Sequence, residues 1–424
     1  MEWEAIENCG WTFSTHPRGT FMKVLHLCKT SRGARWASAQ ARVLTRRGIE
    51  VHVALPDLEG PVTSEWRANG AQVHSVDYTL SPLLPVATIS SLDQLRRLVE
   101  LIQPDLIHSH HVKAAILARL ALRGRYSMPR VFQVPGPFHM ERFPFRRLEL
   151  STATAEDYWI ATSRATLSHY LRAGVSSERV FLSYAGTENE RFRGQRKGQL
   201  RRHLGLADSE FLVGNISYIY TPKWYFMQRV GLKCHEDLID GISLAAEKDR
   251  SIRGVLVGGP WGTDSTYFDK LRRYARKRSG NAVMMPGAFN HEEVASAIWD
   301  FDCAAHVPMS ENCGGVVEPL LCGIPTIASR IGGLVEVVME GSTGVTVPVG
   351  HPRALSEAIL FVRNHYGAMC NQAHAGRILA QTMFDVNRTA VEVEEIYRYV
   401  LGRRASVPEE FNSEEFLRAA TAVV

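Results

Sequence analysis

A glycine-rich loop between two apolar segments places a carboxylate in the first turn of a predicted helix. Positions 302–333 read DCAAHVPMSENCGGVVEPLLCGIPTIASRIGG. Gly314 and Gly315 precede a helix expected at 316–321, and backbone amides at such a position can approach an anion closely. The helix dipole favours negative charge there, so we expect Glu318 to be ionised and to accept hydrogen bonds from a ribose or sugar diol. A helix cap is the simpler interpretation of Glu318, but the glycines on both sides favour a ligand that is a nucleotide-linked sugar.

Three cations follow another predicted strand in the same half of the chain. Lys223, Arg229 and Lys233 lie between a strand at 211–217 and an amphipathic helix. Cations at such a position can neutralise the charge that builds on a departing diphosphate. A solvated surface loop is the alternative, and the presence of Glu318 in the same half favours the diphosphate site.

Histidines gather at a strand end in the amino-terminal half. His108, His110 and His111 follow the apolar run that begins at 106, and active-site side chains often emerge from such ends. A strand-end histidine is more often a core or capping residue. The alternating spacing of His108 and His110 would suit a metal only if a carboxylate or cysteine joined them, and the sequence offers no clear candidate. A later turn, rich in proline and glycine, is expected to present His139 and Glu141 to a cleft.

Strands and helices alternate regularly from Met22 onward, which calls for parallel sheets with right-handed crossovers. The fold class is therefore α/β, with two doubly wound, Rossmann-like domains whose ligand cleft lies between the carboxyl ends of their strands. The expected strands are 22–27, 50–55, 72–76, a run from 106, 131–136, 158–162, 179–184, 211–217, 253–259, 282–287, 303–307, a pair at 326–327 and 344–349. The expected division is an irregular leader at 1–21, an amino-terminal domain at 22–192, a linker at 193–199, a carboxy-terminal domain at 200–375 and returning helices at 376–424.

Composition excludes several classes of protein. The 424 residues are 45% hydrophobic and 22% charged with a net charge of +5, which is too mild to indicate nucleic-acid binding. We find no apolar run long enough to span a membrane and no signal pattern at the start. The seven cysteines show no paired CxxC spacing and are expected to be reduced core thiols of a cytoplasmic protein.

These motifs together resemble family 4 glycosyltransferases of the GT-B fold. The segments EPLLCGIPTIASRIGG and EVVMEGSTGVTVP are similar to the donor-binding region of that family. Three more segments of the chain are similar to segments elsewhere in that family: LSYAGTENERF, PDLIHSHH and GLKCHEDLID. The resemblance covers about 22–400. It implies a retaining transfer of a sugar from a nucleotide donor, without a bound metal or other cofactor.

The resemblance also assigns donor-binding residues. Glu318 matches the acidic residue that contacts the nucleotide ribose, and Lys233 matches the lysine that holds the diphosphate. Gly314 and Gly315 lie where loop amides face the donor sugar.

Three departures from the family pattern concern the catalytic residues. The family spaces its two glutamates by eight positions, whereas Glu311 precedes Glu318 by seven and Ser310 holds the expected place. The arginine after the first strand of the carboxy-terminal domain is absent, so Lys223 or Arg229 would replace it. The histidine expected near the donor sugar falls at Pro135, which leaves His139 for that role.

The resulting hypothesis is a two-domain transferase that acts on a UDP- or GDP-linked sugar. Lys233, Glu311 and His139 are its expected catalytic residues, and its acceptor is a hydroxyl of a glycan, a lipid-linked glycan or a small molecule. Gly33, His110 and Glu141 are expected on the acceptor side. The aromatic and basic stretch at 142–147 raises peripheral membrane association as a further expectation. Two alternatives stay open: an epimerase or sugar phosphorylase of the same fold, and a non-catalytic sugar-nucleotide-binding protein.

Overall fold

The computed structural model of the protein describes residues 22–223 and 228–421. Its strands in these ranges are β1 (Met22–Leu27), β2 (Ile49–Leu55), β3 (Gln72–Ser75), β4 (Leu106–Ser109), β5 (Arg130–Val134), β6 (Asp157–Ala161), β7 (Val180–Leu182), β8 (Phe211–Ile216), β9 (Ile252–Val257), β10 (Val283–Gly287), β11 (Cys303–His306), β12 (Thr326–Ser329) and β13 (Val345–Val347). Its α-helices there are α1 (Arg35–Arg46), α2 (Thr63–Ala68), α3 (Pro85–Ile102), α4 (Val112–Leu122), α5 (Phe138–Glu141), α6 (Phe143–Ser151), α7 (Arg164–Arg172), α8 (Gln199–Leu204), α9 (His235–Lys248), α10 (Thr266–Ser279), α11 (His291–Trp299), α12 (Val317–Leu321), α13 (Pro352–Asn364), α14 (Tyr366–Met383), α15 (Val386–Val400) and α16 (Ser413–Thr421).

The strands form two separate parallel sheets. Within the described residues, the first has seven strands in the order β3-β2-β1-β4-β5-β6-β7 and the second has six in the order β10-β9-β8-β11-β12-β13. Both sheets carry helices on their two faces, so most strands are apolar along their whole length. The strand order reverses beside β1 and beside β8, and a doubly wound sheet binds ligands at such a reversal.

The sequence expectation of two doubly wound domains is confirmed, and each of the thirteen expected strands is present. Their bounds shift by a few residues at most, because buried parallel strands read as continuous apolar runs between glycine, proline or polar residues. The leader expected at 1–21 lies outside the described residues.

One helix prediction in the carboxy-terminal tail is wrong. The sequence predicts one tail helix over about 370–402, but the chain forms α14 and α15, which are separated at Phe384 and Asp385. The Asp385 carboxylate accepts hydrogen bonds from the amides of Asn387 and Arg388 at 2.7 and 2.9 Å, and so caps the start of α15. The boundary expected at 376 therefore falls inside α14 rather than between two elements.

The tail helices contact both domains. α14 packs against α12, and α15 packs against α1 of the first domain. Val393, Ile396 and Tyr397 of α15 are buried in the same hydrophobic core as β1 and β2. The chain thus returns to the amino-terminal domain after it has completed the second sheet.

The described cysteines are free thiols, five of them buried and Cys370 half-buried, which agrees with the expectation of reduced core residues. Cys9 lies outside the described residues. In the part of the chain that the structure describes, no helix has both the length and the apolar character needed to cross a membrane.

Candidate functional site

The loops at the carboxyl ends of the two sheets meet each other. The side chain of Asn312, which follows β11, donates a hydrogen bond to the carbonyl oxygen of Val134 at the end of β5 at 3.2 Å, and another to the Thr162 hydroxyl after β6. Its amide oxygen accepts from the hydroxyls of Ser163 at 2.9 Å and Thr166 at 2.6 Å. Asn312 therefore joins the loop of the second domain to the start of α7 in the first.

A buried acid–base group lies beside this junction. Lys233, just before α9, forms an ion pair with Glu311, and His306 at the end of β11 lies 3.3 Å from the same carboxylate oxygen. The side chains of Lys233 and Glu311 are only 14% and 11% exposed. Burial alone would raise the pKa of Glu311, but Lys233 and His306 outweigh it and lower that pKa to about 2. The Glu311 carboxylate is therefore ionised at neutral pH.

A network of hydrogen-bonded polar side chains, which begins at the end of β8 and reaches α9, holds His306 in place. Burial lowers the pKa of His306 despite the neighbouring Glu311, so its ring is neutral and can donate from Nε2 to the carboxylate. Its other nitrogen, Nδ1, accepts from the side-chain amide of Asn215 at 3.3 Å. The amide oxygen of Asn215 accepts from the Ser217 hydroxyl at 2.8 Å, and His235 of α9 lies 3.1 Å from that hydroxyl. This network fixes the orientation of Glu311 and hence of Lys233.

Sequence reasoning missed His306, Asn215 and His235. His306 and Asn215 lie near the ends of strands that are otherwise apolar, where a polar residue reads as part of the core, and His235 begins the amphipathic helix α9. Position at the carboxyl end of a parallel strand was the signal that would have identified His306 and Asn215.

Gly315 is required by the geometry of the loop. It adopts φ +79°, and a Cβ placed there would lie 2.4 Å from Nε2 of His306. A Cβ on the neighbouring Gly314 would lie 3.5 Å from the Glu311 carboxylate. The glycine pair thus lets the loop pass over His306 and Glu311 and leads directly into α12.

The expectation that a helix dipole keeps Glu318 ionised is not supported. Glu318 is half-buried in the first turn of α12, a helix of five residues with a small dipole. Burial raises the pKa of Glu318, and Arg191 opposes that rise only in part. In the described parts of the chain no hydrogen bond or ion pair satisfies the Glu318 carboxylate, which leaves it available to a diol.

The remaining predicted cations lie on the loop that precedes α9. Lys223 and Arg229 are both exposed. They flank residues 224–227, which lie outside the described residues. Burial lowers the pKa of Lys29 after β1, and the nearby Lys223 and Lys113 lower it further. Positive charge from both domains is therefore concentrated where their loops meet.

The residues predicted for the acceptor side separate into two groups. Glu141 lies close to the buried hydroxyl of Ser310: burial raises the pKa of Glu141, and Ser310 opposes this rise. A Cβ on Gly33 would lie 3.1 Å from the ring of Trp261, a residue of the second domain. These two positions thus face the second domain, Glu141 beside the loop that carries Glu311.

The other two predicted residues of the first domain are less accessible. His139 is half-buried, its Nε2 lies 3.1 Å from the Tyr170 hydroxyl, and burial lowers its pKa to about 4. The side chain of His110 is fully buried and hydrogen-bonds His26. The expectation that His110 contacts the acceptor is therefore not supported, because an enclosed side chain cannot reach a ligand in the cleft.

Comparison with known proteins gives two family models that match successive parts of the chain. The model for Glycosyltransferase Family 4 matches residues 33–191, and the model for Glycosyl transferases group 1 matches residues 222–374. The two matched ranges follow the two domains seen in the structure.

Relatives and solved structures agree with these models. A GDP-mannose-dependent alpha-mannosyltransferase of Mycobacterium tuberculosis is 25% identical over 79% of this chain and 85% of that protein. A D-inositol 3-phosphate glycosyltransferase of Catenulispora acidiphila is 29% identical over 58% of this chain and 59% of that protein. The crystal structure of Anabaena HepE with UDP and glucose superposes with a TM-score of 0.74 at 22% identity, over 89% of this chain and 99% of that chain. The chain therefore belongs to the GT-B glycosyltransferases, with a Glycosyltransferase Family 4 domain followed by a group 1 domain.

Proposed function

We propose that the protein is a retaining glycosyltransferase that moves a sugar from a nucleotide diphosphate to an acceptor hydroxyl. The proposal rests chiefly on the ion pair between Lys233 and Glu311. His306 lies against the same carboxylate oxygen, at the carboxyl end of the strands of the second domain. The similar proteins support a nucleotide-sugar donor, since one relative is a GDP-mannose-dependent mannosyltransferase and a solved neighbour binds UDP and glucose.

In this proposal the second domain binds the donor. Lys233 moves from Glu311 to the diphosphate and stabilises the charge that develops on it as the sugar leaves. Lys223 or Arg229 supplies the second cation, and Glu318 accepts hydrogen bonds from the ribose diol. Glu311, freed from Lys233, accepts hydrogen bonds from hydroxyls of the donor sugar.

The first domain binds the acceptor and closes on the donor. Glu141 lies beside Ser310, and Ser310 belongs to the loop that carries Glu311. From this position Glu141 can orient the acceptor hydroxyl. His139 contributes from the same short segment, and the Gly33 loop lets the first domain approach Trp261. Retention follows if the leaving diphosphate takes the acceptor proton on the face from which the sugar departs.

The experiment is a transfer assay with UDP- and GDP-sugars, in which each donor is incubated with and without an acceptor panel that includes inositol phosphate. We expect transfer only with an acceptor, and a product whose anomeric proton coupling shows the configuration of the donor. Conversion of the donor sugar without an acceptor would indicate an epimerase, and an inverted product would contradict retention. Unchanged rates in Lys233→Ala and Glu318→Ala would contradict the donor assignments.

A further inference from the structure

Three histidines meet inside the amino-terminal domain, away from the Lys233 site. His26 of β1 and His108 of β4 are register partners on adjacent parallel strands, so their side chains project from the same face. His110 follows two positions after His108. All three side chains are fully buried.

The three rings are close enough to share one ligand. Nδ1 of His26 lies 2.8 Å from Nε2 of His110, and the ring centroids are 4.2 to 5.1 Å apart. One nitrogen from each ring lies within 4.8 Å of the other two. Over residues 22–223 and 228–421, no other group of three histidine, cysteine or acidic side chains converges in this way.

The cluster also leaves hydrogen-bonding capacity unused. Nε2 of His26, Nε2 of His108 and Nδ1 of His110 are buried without a hydrogen-bond partner. Buried polar atoms are rarely unpartnered in folded proteins, so the unpartnered Nε2 of His108 indicates a missing ligand beside the close nitrogens of His26 and His110.

We propose that His26, His108 and His110 bind a divalent transition-metal ion, with Zn²⁺ as the expected occupant. Neutral imidazole suits zinc and its neighbours, whereas the absence of a carboxylate from this histidine set disfavours magnesium and calcium. Metal–nitrogen bonds of about 2.0–2.1 Å in a tetrahedral site separate ligand nitrogens by about 3.3 Å. The 2.8 Å pair of His26 and His110 would therefore open by about half an ångström, which rotation of the two rings can supply.

The hydroxyl of Tyr397 would orient one ligand of this ion. It lies within hydrogen-bond distance of Nδ1 of His108, and metal-binding histidines usually use their second nitrogen in this way. Tyr397 belongs to α15, the helix that returns from the second domain. The ion would thus join β1 and β4 and, through Tyr397, hold α15 on the first domain. Because the site is enclosed, we assign it to stability rather than to sugar transfer.

No third ligand for His108 and His110 could be identified from the sequence alone, and no metal was expected. The third ligand becomes visible only in the sheet, where the pairing of β1 with β4 places His26 beside His108. The two residues are 82 positions apart in the chain.

The test uses tag-free, full-length protein and a matched control. His52 and His74 form a similar pair of hydrogen-bonded rings at 2.9 Å but belong to no converging group of three, so His74→Gln changes a histidine pair without touching the proposed site. After equilibration with Zn²⁺ and removal of loose metal, elemental analysis should find about one ion per chain in wild type and His74→Gln. His110→Gln and His26→Gln should each retain less than about a tenth of that amount.

Two further measurements keep the proposal testable if these variants fold poorly. Co²⁺ bound to wild type should give the intense visible absorption of a tetrahedral site, and prolonged chelation should lower the melting temperature of wild type and of His74→Gln alike. Wild-type protein that holds no ion after refolding with Zn²⁺ would overturn the proposal. Equal metal content in folded His110→Gln and wild type would overturn it as well.

Discussion

The Glu311 carboxylate lies between a lysine and a neutral histidine, and this arrangement sets its charge. Lys233 approaches it from the loop before α9, and His306 approaches from the end of β11. A lysine paired in this way is already desolvated and oriented, so a diphosphate that replaces Glu311 as its partner gains a preformed contact. Lys233 should therefore affect the rate of transfer directly, and Glu311 should make the stability of the protein depend on pH.

Replacement of Lys233 by alanine should lower kcat/KM by about 10²- to 10³-fold, because one preorganised charge contact to the leaving group is lost. Lys233→Arg should recover part of that rate, since it retains the charge but alters the geometry. Steady-state kinetics with the best donor measures both. Lys248→Ala, at the other end of α9, is the control and should be close to wild type. Wild-type kcat/KM in Lys233→Ala would contradict the assignment.

The lowered pKa of Glu311 predicts a pH-dependent contribution to stability. A carboxyl whose pKa falls from 4.5 to about 2 on folding stabilises the protein fully above pH 4.5 and loses that contribution as the pH falls towards 2. Urea unfolding of Glu311→Gln should show a deficit of up to about 3 kcal/mol near pH 7 that shrinks as the pH is lowered through this range. Glu357→Gln, an exposed change on α13, should show none. A deficit that stays constant with pH would exclude the linkage.

At the scale of elements, the loop between β11 and α12 is shaped by one glycine. Gly315 adopts a left-handed backbone conformation and passes over the His306 ring with no room for a side chain. The same loop supplies Glu311 to the Lys233 pair and Asn312 to the first domain. A change in its path would therefore disturb the proposed donor site and the contact between domains together.

Gly315→Ala should separate conformational strain from steric conflict. Gly341 has a similar φ of +74°, but a Cβ there meets nothing within 4 Å, whereas Gly315 has φ +79° and the His306 ring at 2.4 Å. We expect Gly341→Ala to cost about 1 kcal/mol of unfolding free energy with near-normal activity. Gly315→Ala should cost more and should lower kcat/KM by at least about tenfold. Thermal melts and steady-state kinetics compare Gly315→Ala with Gly341→Ala. Equal losses of stability and of kcat/KM in the two variants would show that the loop does not depend on the His306 contact.

At the scale of the whole molecule, the two domains are joined by buried polar contacts beside the site. All four hydrogen-bonding positions of the Asn312 side-chain amide are filled by the first domain. The Glu336 carboxylate accepts hydrogen bonds from the backbone amides of Arg164 and Ala165 at 3.0 and 3.1 Å, and so binds the start of α7. These contacts define how the two domains sit against each other, with Glu141 beside Ser310.

Asn312→Ala should loosen this arrangement. It leaves the Ser163 and Thr166 hydroxyls without their acceptor, which should cost about 1–3 kcal/mol. We expect a larger radius of gyration in solution scattering and a kcat that falls more than the affinity for UDP, since the proposed donor contacts lie within the second domain. Asn281→Ala, an exposed change before β10, should alter neither quantity. Unchanged scattering and kcat in Asn312→Ala would mean that the junction does not hold the domains.

The strands and the two-domain fold could be predicted because each buried strand is an apolar run bounded by turn residues. Lys233 and Glu311 could be named from their local patterns, but their contact could not, since 78 positions of chain separate them. His306 was missed because a histidine at the end of an apolar run resembles a core residue. The burial of Glu318, which raises the pKa of that carboxyl, could not be foreseen from its place in a five-residue helix, because burial is a property of the packed domain.

The most direct test of the central claim is a crystal structure of the protein with UDP. We predict that the diphosphate lies within hydrogen-bond distance of Nζ of Lys233, that Glu311 has separated from that lysine, and that the Glu318 carboxylate contacts the ribose diol. Uridine lodged away from Gly314, Gly315 and Glu318, with the Lys233–Glu311 pair intact, would contradict the account.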